Sequence, residues 1–323
     1  MTTRLIGDIG GTNTRLALVD TGVDWRFLET SKNETFDSLE AIVEQYLKAR
    51  GARPDVAAFA VAGPVRDGEA TLTNRGWKIS ARALADRFGW EHCQVVNDFS
   101  GVALGIPALS LSDLEKAGGG ERKAGKPVAI LGPGTGLGVG GIVPYEGGER
   151  VLVTEGGHAT LPAANERTAA IIGRLRARFG HVSIERVLSG QGLENVYRAI
   201  GELGGKQVET LSAAAIGRAA ERGEYAAAVE TMDVFFELLG AVAGDLALSY
   251  GAFGGVYIAG GIVPRYLEAF RASRFRKAFE SKGRMSDYAR AIPAFVILHE
   301  EVELLGLAAS LDARKKGKPW PIV

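Results

Sequence analysis

The chain has 323 residues, 46% of them hydrophobic, with 38 Lys+Arg against 38 Asp+Glu. Two domains and a large core fit that length, and zero net charge argues against a nucleic-acid partner or an anionic membrane surface. The lone cysteine, Cys93, excludes an internal disulfide and a multi-cysteine zinc site; no apolar run approaches the roughly 20 residues of a membrane span, no signal-peptide pattern opens the chain, and the expected location is cytoplasmic.

Residues 5–19, LIGDIGGTNTRLALV, read as strand, tight turn, strand. The turn offers Asp8, Gly10, Gly11, Thr12 and Asn13. Glycines let backbone N–H groups approach an anion, and successive amides form an anion-binding concavity. A carboxylate beside it can hold a cation, most simply Mg²⁺. The alternative for this segment alone is a glycine hairpin with a solvated Asp. A third strand is expected over 24–30. A helix follows over 36–50, with Leu39, Ile42, Val43, Tyr46 and Leu47 on one face and Gly51 as its stop. Then come a strand at 55–61, a short helix at 80–88 capped by Ser80, and a strand at 94–98 ending on Asn97 and Asp98.

Residues 110–126 are polar and glycine-rich, as a connection between domains would be. From 127 the pattern repeats: a strand, the turn GPGTGLG, and another strand. This is an internal repeat of about 120 residues, which suggests two similar lobes with ligands at the strand ends facing a cleft. Helical spacing follows over 166–179, 190–202, 211–222 and 225–250. The chain then runs through a strand at 255–259 into Gly260-Gly261, a helix at 264–280, a strand at 294–298 and a helix at 301–315.

Two glycine motifs are imitators. GERKAGK (120–126) has P-loop spacing, but Pro127 stands at the Ser/Thr position and no strand leads in. GPGTGLG (132–138) looks like a dinucleotide turn but is followed by a strand, where that motif must open a helix. The better reading of 134–138 is a second phosphate hairpin, with Thr135 adding a hydroxyl. Gly260-Gly261 suits the flat face of a purine, or plain strand-to-helix packing.

DIGGTNTRLALVD, VVNDF, GPGTGLG, EGGH, ERVLSGQGL and IAGGIVPR occur in this order. Together they resemble bacterial glucokinases of the hexokinase-like, zinc-free group within the actin-like ATPase superfamily, over residues 4–310. The absence of a cysteine-rich motif after EGGH separates the chain from the zinc-bearing kinase and repressor relatives. The resemblance implies a two-lobed α/β, ribonuclease H-like fold with a ligand cleft between a small domain (1–110 plus 300–323) and a large one (111–299). It implies an ATP-dependent glucokinase using Mg²⁺, a cytoplasmic homodimer whose lobes close on glucose and ATP.

Carried over by resemblance, Asp8, Gly10, Gly11, Thr12 and Asn13 match the first phosphate loop. Gly134, Thr135, Gly136 and Gly138 match the second, and Gly260 and Gly261 the adenosine turn. Asn97 and Asp98 match a sugar-binding Asn and the catalytic Asp. Glu155, His158 and Glu185 match the remaining sugar ligands, and Thr73-Asn74 with Trp77 resemble the small-domain sugar loop. Asp8 is then an organiser of Mg²⁺ through water. Pro133 departs from the small residue common there and stiffens the turn. Alternatives are a kinase for fructose or mannose, and a non-catalytic sugar-sensing regulator; the latter needs a DNA-binding extension, for which residues 1–4 leave no room.

Phosphoryl transfer is mostly positioning and charge stabilisation. An unperturbed Asp is ionised at neutral pH, so Asp98 serves as base if the proton leaves the sugar late. Three side chains converging on adjacent hydroxyls penalise a missing or inverted one. His158 alone reads as a structural histidine; beside Gly156-Gly157 and the other motifs it reads as a ligand.

Overall fold

Apolar residues on both sides of the first glycine turn fold it into a hairpin. β1 (Arg4–Ile9) pairs antiparallel with β2 (Asn13–Val19), setting Asp8 opposite Arg15. The computed structural model describes residues 3–20, 22–72, 75–146, 148–205 and 208–315. Clustering of its contacts divides the chain into two compact units, Met1–Ser110 with His299–Val323, and Leu111–Leu298.

In the first unit, β3 (Trp25–Lys32) pairs with β2, and β4 (Val56–Val61) lies parallel to β1. Three short strands, β5 (Val65–Arg66), β6 (Glu69–Leu72) and β7 (Trp77–Ser80), make a separate antiparallel sheet absent from the sequence reading. They are too short to show a period. β8 (His92–Asn97) closes the main sheet, in the order β3-β2-β1-β4-β8. Successive residues of a strand face opposite sides, and β1 shows the result. Leu5 and Ile9 join Phe59 and the helix Leu39–Arg50 on one side. Ile6 joins Ala58, Leu304 and Leu307 of the helix Val302–Lys315 on the other.

The strand expected over 94–98 stops one residue early. Asn97 caps a helix, Asp98–Gly105, and Asp98 is its first residue. Small residues make this helix hard to see in the sequence. They also let it approach the C-terminal helix closely: a side chain on Gly306 would collide with the Gly101 carbonyl oxygen, 2.0 Å away.

The second unit repeats the plan. β9 (Leu114–Lys116) lies within the stretch read as a connection. β10 (Val128–Pro133) and β11 (Leu137–Tyr145) form the second hairpin, β12 (Gly148–Thr154) pairs with β11, and β13 (Gly255–Ile258) and β14 (Ala294–Ile297) run parallel to β10. The order is β12-β11-β10-β13-β14-β9. Apart from β9, this is the layout of the first sheet: hairpin, antiparallel edge strand, then parallel strands. Because β11 follows the turn at 134–136, the dinucleotide reading is excluded. The P-loop imitator is coil anchored at Lys123, whose N–H donates to the Phe253 carbonyl at 2.9 Å.

Helices Glu166–Phe179, Gly190–Leu203, Ala213–Glu221 and Ala226–Tyr250 follow their expected positions. The helix expected over 264–280 is instead three pieces, Ile262–Arg265, Leu267–Ala272 and Phe275–Glu280. Tyr266 leaves helical geometry at ψ 40°, and the Ser273 hydroxyl accepts the Phe275 N–H at 3.1 Å. The breaks let Phe270, Phe275 and Phe279 all enter the core around Phe235 and Phe236. Among the described residues, no helix is long and apolar enough to cross a membrane.

Candidate active site

The first glycine turn is held by a residue the sequence reading missed. Asn33 is fully buried. Its N–H donates to the Thr12 carbonyl at 2.9 Å. Its side-chain amide donates to the Gly10 carbonyl and its Oδ1 accepts the Thr14 hydroxyl, each at 2.8 Å. Gly10 closes the turn with its N–H on the Asn13 carbonyl at 2.9 Å. A polar residue at the end of an exposed edge strand carries no sequence signal that it is buried; only the return of β3 beside the turn places it there.

Asp8 sits at the end of β1, with Oδ2 at 3.8 Å from the Arg15 guanidinium, which in turn lies 4.0 Å from Glu301. Burial pushes the Asp8 carboxyl up to about 6; Arg15 opposes the rise, while Asp98 and Glu301 add to it. Glu303, in the first turn of the C-terminal helix, is pushed up to about 8, chiefly by burial and then by Asp8, with a smaller push from Asp98. It is therefore mostly a neutral acid at pH 7. Neither Glu301 nor Glu303 was singled out from sequence, because only the folded C-terminal helix brings them near Asp8.

Asn97 and Asp98 meet at the head of the helix Asp98–Gly105. Asn97 Oδ1 accepts the Phe99 N–H and its amide donates to the Gly63 carbonyl, both at 2.9 Å. Asp98 Oδ1 accepts from the same Phe99 N–H at 2.9 Å. These bonds fix both side chains at the strand-to-helix junction, and a negative charge is favoured at a helix N-terminus. Trp77 opens β7, while Thr73 and Asn74 lie outside the described residues.

In the second unit, Gly134, Thr135 and Gly261 line one cavity of about 440 Å³, a volume that suits a small ligand. Gly190, Leu193, Ala213, Ala214, Ile262, Arg265 and Tyr266 complete its wall. None of these seven was assigned from sequence, although Gly190 and Leu193 lie in the quoted ERVLSGQGL and Ile262 and Arg265 in the quoted IAGGIVPR. The starts of two helices, Gly190–Leu203 and Ala213–Glu221, border this cavity, and such ends attract anions. Gly260 takes φ +80° and lies so close to β10 that a Cβ would sit 2.5 Å from the Pro133 carbonyl oxygen. Gly136 and Gly138 complete the turn and the start of β11, where Gly138 pairs with Gly132.

Glu155 and His158 flank a tight turn, Gly156–His158, with His158 Nε2 at 3.9 Å from Glu155 Oε2 and both side chains exposed. A Cβ on Gly157 would sit 2.3 Å from the Leu137 carbonyl oxygen, so this loop packs directly on the strand that leaves the phosphate turn. The Ile184 N–H donates to the Ala159 carbonyl at 2.9 Å, bringing the segment of Glu185 alongside. Glu185 Oε2 accepts the Leu137 N–H at 2.8 Å. The fold thus gathers Glu155, His158 and Glu185 around the Leu137 end of the second turn.

Other polar candidates are structural. Cys93 is buried, and burial pushes its thiol up to about 12. His181 Nε2 lies 3.1 Å from the Thr160 hydroxyl, and His299 packs edge-on against Trp25. Among the described residues no group of three or more His, Cys, Asp or Glu could hold a metal ion.

A family model described as Glucokinase matches residues 5–314. The chain is 45% identical over 318 residues to a glucokinase of Aromatoleum aromaticum, covering 98% of this chain and 96% of the relative. It is 46% identical over 309 residues to a glucokinase of Nitrobacter hamburgensis, covering 94% and 96%. The crystal structure of a glucokinase from an Antarctic psychrotroph superposes with a TM-score of 0.89 at 35% identity, covering 96% of this chain and 98% of that one. With two α/β units of the actin-like ATPase fold and the matched residues spanning both, the chain belongs to the glucokinase family.

Proposed function

We propose that the chain transfers the γ-phosphoryl group of ATP to the 6-hydroxyl of glucose, giving glucose 6-phosphate and ADP. Family membership over nearly the whole length carries this reading. The cavity lined by Gly134, Thr135 and Gly261 supports nucleotide binding in the second unit. There the turn amides and Thr135 hydroxyl bind the donor phosphates, and Gly261, with open space where a Cβ would be, leaves room for the adenosine while Gly260 packs on β10. Glu155, His158 and Glu185 bind sugar hydroxyls, Glu185 through the oxygen not given to Leu137.

In the first unit, Asp98 accepts the 6-hydroxyl proton as the oxygen–phosphorus bond forms, and Asn97 orients the sugar. The Gly10–Asn13 turn receives phosphate oxygens. Asp8 suits Mg²⁺, which keeps most of its waters and takes one or two carboxylates plus substrate phosphates, so no cluster of protein ligands is required. When bound, Mg²⁺ neutralises phosphate charge. A cation there favours ionised Asp8 over the neutral form that burial encourages. The same reading carries a cytoplasmic homodimer, which sedimentation of the purified chain tests.

A coupled assay with ATP, Mg²⁺ and a panel of hexoses tests the reading. Glucose is the expected best acceptor. Asp98→Ala should lower kcat by about 10²–10⁴ while glucose binding stays nearly intact. An Asp98→Ala enzyme with full kcat would remove Asp98 from the role of base.

A further inference from the structure

The segment Glu185–Gly190 grips the second phosphate turn on both sides. At one end the Gly190 N–H donates to the Gly134 carbonyl at 2.8 Å. At the other, Glu185 Oε2 accepts the Leu137 N–H at 2.8 Å. Within the segment, the Ser189 hydroxyl donates to the Glu185 carbonyl at 2.8 Å, so both grips belong to one rigid piece. The turn is shaped to admit the carboxylate: a Cβ on Gly136 would sit 2.6 Å from Glu185 Oε2.

On its far side this segment is tied to the loop of Glu155 and His158. The Leu161 N–H donates to the Val182 carbonyl at 3.0 Å and the Ile184 N–H to the Ala159 carbonyl at 2.9 Å. The Leu137 peptide is therefore pinned through its N–H by Glu185, and its carbonyl oxygen lies against Gly157. Leu137, paired with Pro133 in the hairpin, is thus also held by the two segments assigned to the sugar.

We propose that Glu185 is a shared carboxylate: Oε2 positions the nucleotide turn through Leu137 while Oε1 binds a sugar hydroxyl, so that each ligand strengthens the binding of the other. The proposal rests on the reading of Glu185 as a sugar ligand. The physical origin of the coupling is conformational. A half-buried Glu loses side-chain freedom when it is fixed. Sugar on Oε1 removes the freedom left to a carboxylate that already rests on the Leu137 N–H, nucleotide in the turn fixes the same contact from the other side, and each ligand leaves less to be ordered by the other. Such coupling is reciprocal and amounts to about threefold to tenfold for one long side chain.

Isothermal titration measures it directly. The Kd of AMPPNP with Mg²⁺ is determined with and without saturating glucose, and the Kd of glucose with and without AMPPNP. For the native chain both ratios should be equal and about threefold to tenfold. Glu185→Ala should weaken both ligands, each by about tenfold, and bring both ratios to one. Glu185→Gln retains an oxygen for the Leu137 N–H, and its AMPPNP Kd should stay within about threefold of native. Gly136→Ala leaves Glu185 intact but displaces its carboxylate, and should weaken glucose as well as nucleotide; this variant carries the test if Glu185→Ala does not fold.

Weakened glucose with unchanged AMPPNP in Glu185→Ala overturns the coupling and leaves the sugar-ligand reading standing. Weakened AMPPNP with unchanged glucose overturns the sugar-ligand reading itself. Coupling that persists in Glu185→Ala overturns the proposal.

Discussion

Asn33→Ala tests how the first phosphate turn is held. The substitution deletes a buried hydrogen bond from the Thr14 hydroxyl and a part-buried one to the Gly10 carbonyl. It leaves those partners enclosed with nothing to bond, and an unsatisfied buried group costs about 1–3 kcal/mol. Two such groups, one of them part-buried, put the loss near ~3 kcal/mol. For a unit of this size each kcal/mol lowers Tm by about 3 °C, so the first transition should fall by roughly 10 °C. Asn33→Asp keeps an acceptor for Thr14 but buries a carboxylate against the Gly10 carbonyl, and should lose at least as much. Because Gly10 in the turn and Thr14 just after it are the groups released, the loosened turn should also raise the KM for ATP several-fold, with the KM for glucose much less affected. Calorimetry and steady-state kinetics on the three proteins supply the numbers. A loss below about 1 kcal/mol in Asn33→Ala, with ATP kinetics unchanged, would refute the reasoning that Asn33 clamps the turn.

Gly260→Ala forces a side chain into φ +80° and against the Pro133 carbonyl oxygen; the conformation alone costs about 1–2 kcal/mol, so melting of the second unit and the KM for ATP should both worsen. Glu303 gives a pH signature. Its carboxyl is raised from 4.5 to about 8 in the fold, so the native state holds a proton that the unfolded chain has released. Its contribution is complete below pH 4.5 and is lost as pH rises through about 8, with a ceiling of about 5 kcal/mol. Glu303→Gln should therefore gain stability relative to the native chain between pH 5.5 and 8.5 in urea titrations, and equal midpoints at both pH values would contradict the burial. Cys93, with its thiol pushed up to about 12 by burial, should resist a thiol-specific reagent at pH 8 until denaturant is added; immediate reaction in the native protein would show that the site opens.

Amphipathic and capped segments were readable because local chemistry decides them. Helix Leu39–Arg50 begins after Ser38, whose hydroxyl accepts the Ala41 N–H, and ends at Gly51 in left-handed geometry. The two hairpins were readable because apolar strands flank glycine turns, and their shared sheet order bears out the internal repeat. Segments without a period or a cap were not readable. Helix Asp98–Gly105 is built of small and apolar residues with no polar face, and its partner is the distant C-terminal helix. The helix expected over 264–280 kept its apolar residues but bent twice, because three phenylalanines had to reach one core.

The sequence by itself offered two glycine turns between apolar strands, the pair Asn97-Asp98 and, through a family resemblance, the Glu155, His158 and Glu185 set. The turns are local in character, since apolar strands flanking a glycine run are enough to set a hairpin. Only the tertiary structure decided what holds and tunes them. Asn33 reaches the first turn because β3 returns beside it. Glu303 becomes a neutral acid because the C-terminal helix carries it into a buried place near Asp8. Glu185 meets Leu137 across 48 residues because two loops pack on one strand. Burial and hydrogen bonding between distant segments depend on which surfaces meet, and no short stretch of residues contains that information.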